Sequence, residues 1–272
     1  MSLGVLNNIS AIYAQNNLNN TQAALSKTLQ QLSSGSRINS GADDAAGLSL
    51  ANGLQAASTA LSQSAKNASE GIDFLQVADG ALAQVTSLLN RAVTLATEAS
   101  NGVLTTGAGS QMAAADAEYQ NILTEIANID ANTEYNGINV FSTAANIFTS
   151  DGTLTQTDAA TALGSVVTQV NLSGDLTTAA NAQSELANIT AAISAIASER
   201  GTAGATINTL TAVSNVMSTE STNTLSAEND VTATDYGQAT SDMSKYQILS
   251  QTGIAALAQA NQSQQLITKL LQ

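Results

Sequence analysis

The chain has no cysteine, no proline, no histidine and no tryptophan. Without cysteine there is no disulfide, no thiolate ligand and no thiol nucleophile. Without histidine the commonest metal ligand and the usual acid/base near neutral pH are gone as well. Together these absences remove most metal sites and most nucleophile–base pairs, so neither a metal nor a cofactor is expected. Without proline, helices can run long with no forced kink or stop. Aromatic residues make up 3% of the chain, so the large side chains that anchor a thick core are scarce. Seven Lys and Arg stand against 21 Asp and Glu, a net charge of −14. So few cations cannot track a phosphate backbone, which excludes nucleic acid as a partner, and an acidic membrane surface repels the chain. No apolar run approaches the ~20 residues of a membrane span. Met1 to Ser10 has neither the basic nor the apolar region of a secretory signal, so export by that route is not expected.

What is present is alanine-rich and polar without being charged. The apolar share is 43%, much of it Ala, and charged residues are only 10%. Such a composition suits long helices that touch along narrow seams. A face of Ser, Thr, Asn, Gln and Ala can be dehydrated against another copy without stranding many charges.

The spacing of apolar residues gives the elements. Leu18, Leu25 and Leu32 are seven apart, with Ile12 and Leu29 on nearby turns, and predict a helix from about Asn7 to Ser33 that Gly35 ends. Ser40-Gly41-Ala42-Asp43 reads as a capping box, so a second helix is expected from near Gly41, with Asp43 and Asp44 in its first turn. Leu61, Ala65, Ala68, Ile72, Leu75, Asp79, Leu82, Thr86, Leu89, Val93 and Ala96 continue it in steps of four and three, with Asp79 and Thr86 as polar interruptions. Asn101-Gly102 stops it after roughly 60 residues, or ~90 Å at 1.5 Å per residue. A third helix follows from about Gln111 to Asp130, with Ile122, Ile126 and Ile129 on one face. Strand signals come next: Tyr135-Asn136-Gly137-Ile138, then Asn146 to Thr149 before an Asp151-Gly152 turn, then Ser165 to Asn171. Helical periodicity resumes at Leu186, Ile189, Ile193, Ile196, Arg200, Ala203, Ile207, Leu210, Ser214 and Met217 and continues weakly to about Asn229. A last helix, about Asp235 to Gln272, carries one stripe of Tyr246, Leu249, Gly253, Ala256, Ala260, Ile267 and Leu270 and another of Ile254, Leu257 and Leu271. Two stripes imply two neighbours.

The two ends therefore mirror each other. The expected fold is mainly α, with long antiparallel coiled-coil helices from both chain halves and a small β-hairpin region in the middle. Terminal helices with so little apolar area are marginal alone in water and are expected to order on partners. Asp43 and Asp44 read as carboxylates at a helix N-terminus rather than a catalytic pair. Arg37 reads as a structural group between the terminal and long helices, and Asp79 and Arg200 as register-setting polar positions. No Gly-rich phosphate loop, zinc-protease motif or nucleophile elbow occurs, and no enzyme is expected.

Several of these residues also carry a family likeness. Leu32-Ser33-Ser34-Gly35-Ser36-Arg37-Ile38-Asn39-Ser40, followed by Asp43-Asp44-Ala45-Ala46-Gly47, resembles the N-terminal signature of bacterial flagellins. Asn132 to Gly137 resembles the family's turn after its third helix. Gln247 to Gly253 and Leu257 to Gln262 resemble its C-terminal signature. The matched positions span about 1–140 and 185–272. The resemblance implies a structural subunit that polymerises into the flagellar filament for swimming motility, outside the cell, with itself as chief partner. It implies an export chaperone, a filament cap and hook-associated proteins as further partners. In domains it implies 1–40 and 232–272 as the two parts of an inner coiled-coil domain. Residues 41–140 and 181–231 would form a long-helix domain, and 141–180 a short variable β region. Self-assembly would fall to Leu18, Leu25, Leu32, Tyr246, Leu249, Ile254, Leu257, Ile267 and Leu270 of the terminal helices. Arg37, Asn39, Asp43, Asp44 and Gly47 are the signature positions. Asn90, Arg91 and Leu95 match a segment that a Toll-like receptor recognises in the family, although Val93 and Thr94 stand where a second arginine and an acidic residue are usual. The alternatives are a hook–filament junction protein of the same family and a surface adhesin.

Overall fold

The computed structural model describes residues 8–104, 106–107, 110–141, 145–149, 152–156 and 174–270. Five helices account for most of them: α1 (Ile9–Ser34), α2 (Ala45–Ala99), α3 (Gln111–Asn132), α4 (Ala179–Thr232) and α5 (Tyr236–Leu270). Two small antiparallel hairpins lie in the middle: β1 (Glu134–Tyr135) with β2 (Ile138–Asn139), and β3 (Ala145–Thr149) with β4 (Gly152–Gln156). The architecture is mainly α with a small β region, as the periodicities indicated. The expected strand Ser165–Asn171 lies outside the described residues, as does Asp151. Gly152 pairs with Thr149 and so closes the β3–β4 ladder.

Each helix end has a local cause. The Asn8 side chain accepts from Ala11 N–H and caps α1. Gly35, with φ 70°, ends α1 in the left-handed conformation, its N–H donating to Gln31 O. Ser110 caps α3 through Ala113 N–H. Asn136 and Gly137, with φ of 52° and 76°, turn β1 into β2, as two positive φ values in a tight hairpin require.

The start of α2 differs from expectation. The helix begins at Ala45, not Gly41, and no acidic residue lies in its first turn. Asp43 belongs to a preceding turn, where its carboxylate accepts from Asn39 N–H, Ser40 N–H and the Ser40 hydroxyl. Ser40 N–H to the Asp43 carboxylate is one half of a capping box, but the other half is missing, because the Ser40 hydroxyl donates to Asp43 where a capping box would have it accept a backbone N–H. The capping oxygen comes one residue later: Asp44 Oδ1 accepts from Gly47 N–H at 2.8 Å.

The chain divides into two compact units, one of residues 1–57 and 223–272, the other Ser58–Thr222. The second contains the main core. In α2 the heptad Leu61, Ala68, Leu75, Leu82, Leu89 and Ala96 is buried throughout, and in α4 so is Ile189, Ile196, Ala203, Leu210 and Met217. The helices run antiparallel in heptad register. Ser58 meets Ser221, Ser214 reaches Ala65 O, and Arg200 grips Asp79. From 58 to 65 to 79 the steps are seven and fourteen; from 221 to 214 to 200 they are the same, reversed. The expected register positions Asp79 and Arg200 are thus joined to each other, by two bonds of 2.7 and 3.3 Å.

The buried arc of α2 is wider than the expected seam. Ala78, Val85, Ala92 and Ala99 are fully buried, whereas Ile72 and Val93, one residue away on the helix from buried neighbours, are only partly so. The cause is α3. Its Met112, Ala115, Tyr119, Ile122, Leu123 and Ile126 share the same core cluster, so α2 packs on two sides. Alanine at the deepest positions lets three helices approach closely. The hairpin of β3 and β4 enters this core through Ile147.

Candidate self-assembly surface

The first unit is organised differently from the second. Here α1 lies antiparallel to α5: Asn8 Nδ2 donates to Ala260 O at 3.0 Å, Leu18 lies against Gly253, and Thr234 Oγ1 reaches Gln31 O. Residues 8–26 and 246–268 carry no charged side chain. Yet the pair buries little. Among the described residues, the buried positions of this unit are Thr28, Ile38, Ala51 and Ala239.

The expected assembly residues divide into two sets. Leu18, Leu25, Leu32, Tyr246 and Leu257 are half-buried along the seam between α1 and α5. Leu249 and Ile254 face outward, 43% and 55% exposed. The side chains of Ile267 and Leu270 lie outside the described residues. Sequence spacing missed further outward residues. Ile9 (57%), Tyr13 (67%) and Ile248 (62%) are exposed, as is Ile12, read as a seam residue, at 52%. The signal for Ile9 and Tyr13 was their four-residue spacing, which puts both on one face. Small residues leave a groove of about 290 Å³ lined by Ala14, Leu18, Thr21, Leu249, Gly253 and Ala256 among others. That volume lies just below the ~300 Å³ at which small-molecule sites begin.

The signature residues build a clasp between the connector 35–44 and the connector 233–235. Arg37 N–H donates to Thr232 O at 2.7 Å, Thr234 N–H donates to Gly35 O, and Ser36 bridges Ala233. The Arg37 guanidinium donates to Val231 O at 2.8 Å, while Gln31 Nε2 binds Arg37 O. Asn39 Nδ2 donates to Ser36 O. Gly47 lets buried Ile38 approach α2: a Cβ there would lie 2.7 Å from Ile38 Cδ1. Lys27 reaches from α1 to Asp43 at 2.8 Å, an ion pair the sequence did not announce. The Lys27 ammonium, then the Ser40 hydroxyl, hold the Asp43 carboxyl down at about 2.

In the second unit, Asn90 and Arg91 are exposed and Leu95 is buried at 3%. Arg91 forks onto Glu118 of α3 with bonds of 2.7 and 3.0 Å. That pairing raises the guanidinium's pKa and lowers the carboxyl's.

Comparison with known proteins accords with this geometry. The family model for the bacterial flagellin N-terminal helical region matches residues 5–146, and that for the C-terminal helical region matches 186–271. The chain belongs to the bacterial flagellin family. A flagellin of Listeria innocua serovar 6a is 32% identical, the match covering 97% of this chain and 98% of that protein. The flagellar filament 31.3 kDa core protein of Treponema maltophilum is 29% identical with the same coverage. The crystal structure of Bacillus cereus flagellin matches with a TM-score of 0.50 at 29% identity, over 60% of this chain and 94% of that one. As a flagellin, the chain is a structural subunit of the flagellar filament, and it works outside the cell. Among the described residues, no helix of this flagellin is long and apolar enough to cross a membrane.

Proposed function

We propose that polymerisation of this filament subunit is driven by α1 and α5, whose outward apolar side chains are buried by neighbouring copies. One observation carries the proposal. Ile9, Ile12, Tyr13, Ile248, Leu249 and Ile254 stand 43–67% exposed on a helix pair with hardly any core of its own. Full burial of such a side chain is worth about 1.5–3 kcal/mol, and roughly half of that is still to be gained at each of these positions. The groove beside Leu18 and Gly253 suits a side chain from a neighbouring subunit.

In this reading, 1–40 and 232–272 form the assembling domain. Residues 41–140 and 181–231 form the long-helix domain that supports it, and 141–180 are the variable region. The clasp at Arg37 and Asn39 ties the connector after α1 to the connector before α5. The role is structural and not catalytic. Family membership supports an export chaperone, a filament cap and hook-associated proteins as further partners. A Toll-like receptor would meet Asn90 and Arg91, since Leu95 is inside.

The experiment is deletion of Asp235–Gln272. The shortened chain should keep its helical signal and stay monomeric in sulfate, which strengthens burial of apolar surface in the full chain. Tubes formed by the shortened chain would overturn the assignment.

A further inference from the structure

The chain contains three Asn-Gly pairs, and the fold treats them differently. Asn52-Gly53 lies inside α2, Asn136-Gly137 forms the β1–β2 turn, and Asn101-Gly102 follows the end of α2. All three asparagines are exposed, so exposure does not distinguish them. Backbone geometry does. Closing a five-membered ring between an asparagine Cγ and the next backbone nitrogen needs the asparagine Cβ and that nitrogen to eclipse about the Cα–C bond. Helical backbone denies this to Asn52, and the Gly53 N–H is held in the helix ladder. The left-handed setting of Asn136 (φ 52°) denies it to the second pair, pinned by Tyr135↔Ile138 and Glu134↔Asn139.

Asn101 is under neither constraint. It lies outside helix and strand, and its φ is not positive. Its backbone makes only turn contacts, N–H to Glu98 O and carbonyl from Leu104 N–H. Among the described residues, neither its side chain nor Gly102 N–H has a hydrogen-bond partner. Nothing lies within 4 Å of where a Gly102 side chain would begin, and the next residue, Val103, is 85% exposed.

We propose that Asn101-Gly102 is a site of spontaneous deamidation, a covalent ageing mark on a subunit that works outside the cell. The Gly102 nitrogen, losing its proton to solvent, attacks Asn101 Cγ. A C–N bond forms and the side-chain amide nitrogen leaves as ammonia, giving a succinimide. Water then adds to one ring carbonyl and breaks its C–N bond, leaving aspartate or isoaspartate. Asparagine is thermolabile by this chemistry. The product places a new carboxylate beside the C-terminal end of α2, next to Glu98, where the helix dipole disfavours it.

The test uses the intact full-length chain, held in mildly alkaline buffer and sampled over time by peptide mass spectrometry with fragmentation that separates isoaspartate from aspartate. In the folded chain Asn101 should convert at least about tenfold faster than Asn52 or Asn136, which react only through local opening. In denaturant the three rates should converge. Conversion at Asn101 no faster than at Asn52 in the folded chain overturns the proposal. So does a gap that persists in denaturant, because sequence neighbours rather than the fold would then set it.

Discussion

Lys27 Nζ lies 2.8 Å from Asp43 Oδ1, and the other carboxylate oxygen takes three donors from Asn39 and Ser40. The Lys27 bond is the largest cause of the drop in the Asp43 pKa from 3.8 to about 2. A carboxyl depressed in the folded state adds stability that is full above its unfolded pKa and lost as pH falls through the folded one. The clasp should therefore hold unchanged down to the unfolded value and loosen between 3.8 and about 2. Thermal melts of wild type and Asp43→Asn across that range check this: the wild-type advantage should shrink as pH falls, and a constant advantage would contradict it. A buried pair acts differently. Tyr119 is fully buried and donates from its hydroxyl to Glu185 Oε2 at 3.0 Å, with Glu185 only 6% exposed. Burial, and then the Glu185 charge, push the phenol well above its ordinary pKa, so it remains a donor at any physiological pH. Tyr119→Phe strips a buried carboxylate of that donor and should cost about 1–3 kcal/mol in urea unfolding. Undiminished stability would mean that the hydroxyl contributes nothing.

Gly71 of α2 is where an element, rather than a residue, depends on one atom. A Cβ there would lie 2.2 Å from Ile147 Cδ1 and 3.3 Å from Leu210 Cδ1. Ile147 is the buried side chain through which the β3–β4 hairpin enters the core. Gly71→Ala should therefore displace the hairpin and cost about 1–3 kcal/mol of overpacking, partly offset by alanine's better helix propensity. Adding Ile147→Ala removes the clash, so the double variant should be more stable than the sum of the two single changes predicts. Strict additivity in denaturant unfolding would show that the hairpin does not seat there. This notch was not legible in the sequence, because nothing local distinguishes Gly71 from Gly80, which has open space beside it. What was legible followed from period. The heptads of α2 and α4, Asp79 and Arg200 as polar positions on them, and the stop at Gly35 all repeat or punctuate a 3.6-residue pattern, whereas the pairing of those two residues with each other was not read from it. The start of α2 was misplaced because Ser40 and Asp43 have the residue types of a capping box but use them in a turn. The start of α4 at Ala179 precedes Leu186, the first residue read as periodic, because its first turns are held by polar side chains. Thr178 and Asp175 bind Asn181 there, and Glu185 takes the Tyr119 hydroxyl. At the assembly surface, composition and spacing gave the helices but not which face looks outward, since that depends on where the partner helix lies.

Association between subunits with a net charge of −14 is opposed by repulsion at long range, so contact must be made where charge is absent. Residues 8–26 and 246–268 meet that condition, and the outward residues Ile12 and Ile254 lie within them. Replacing both by serine tests whether that surface is the interface. In the monomer they are 52% and 55% exposed, so its unfolding free energy should fall by no more than about 1.5 kcal/mol per site. In the polymer each substitution forfeits about half of the ~1.5–3 kcal/mol of a full burial, because the monomer already covers the rest. At 1.4 kcal/mol per tenfold, the critical concentration for sedimentable filament should rise roughly three- to tenfold per substitution. Phe148→Ser, somewhat more exposed at 63% but on the β3–β4 hairpin, should leave that concentration unchanged. Raising salt should ease assembly of all three chains by screening the repulsion, without closing the gap between them, because the lost term is apolar. If the double variant polymerised at the wild-type concentration while Phe148→Ser did not, the interface would have to be placed on the middle of the chain. The exposure of α1 and α5 would then need another explanation.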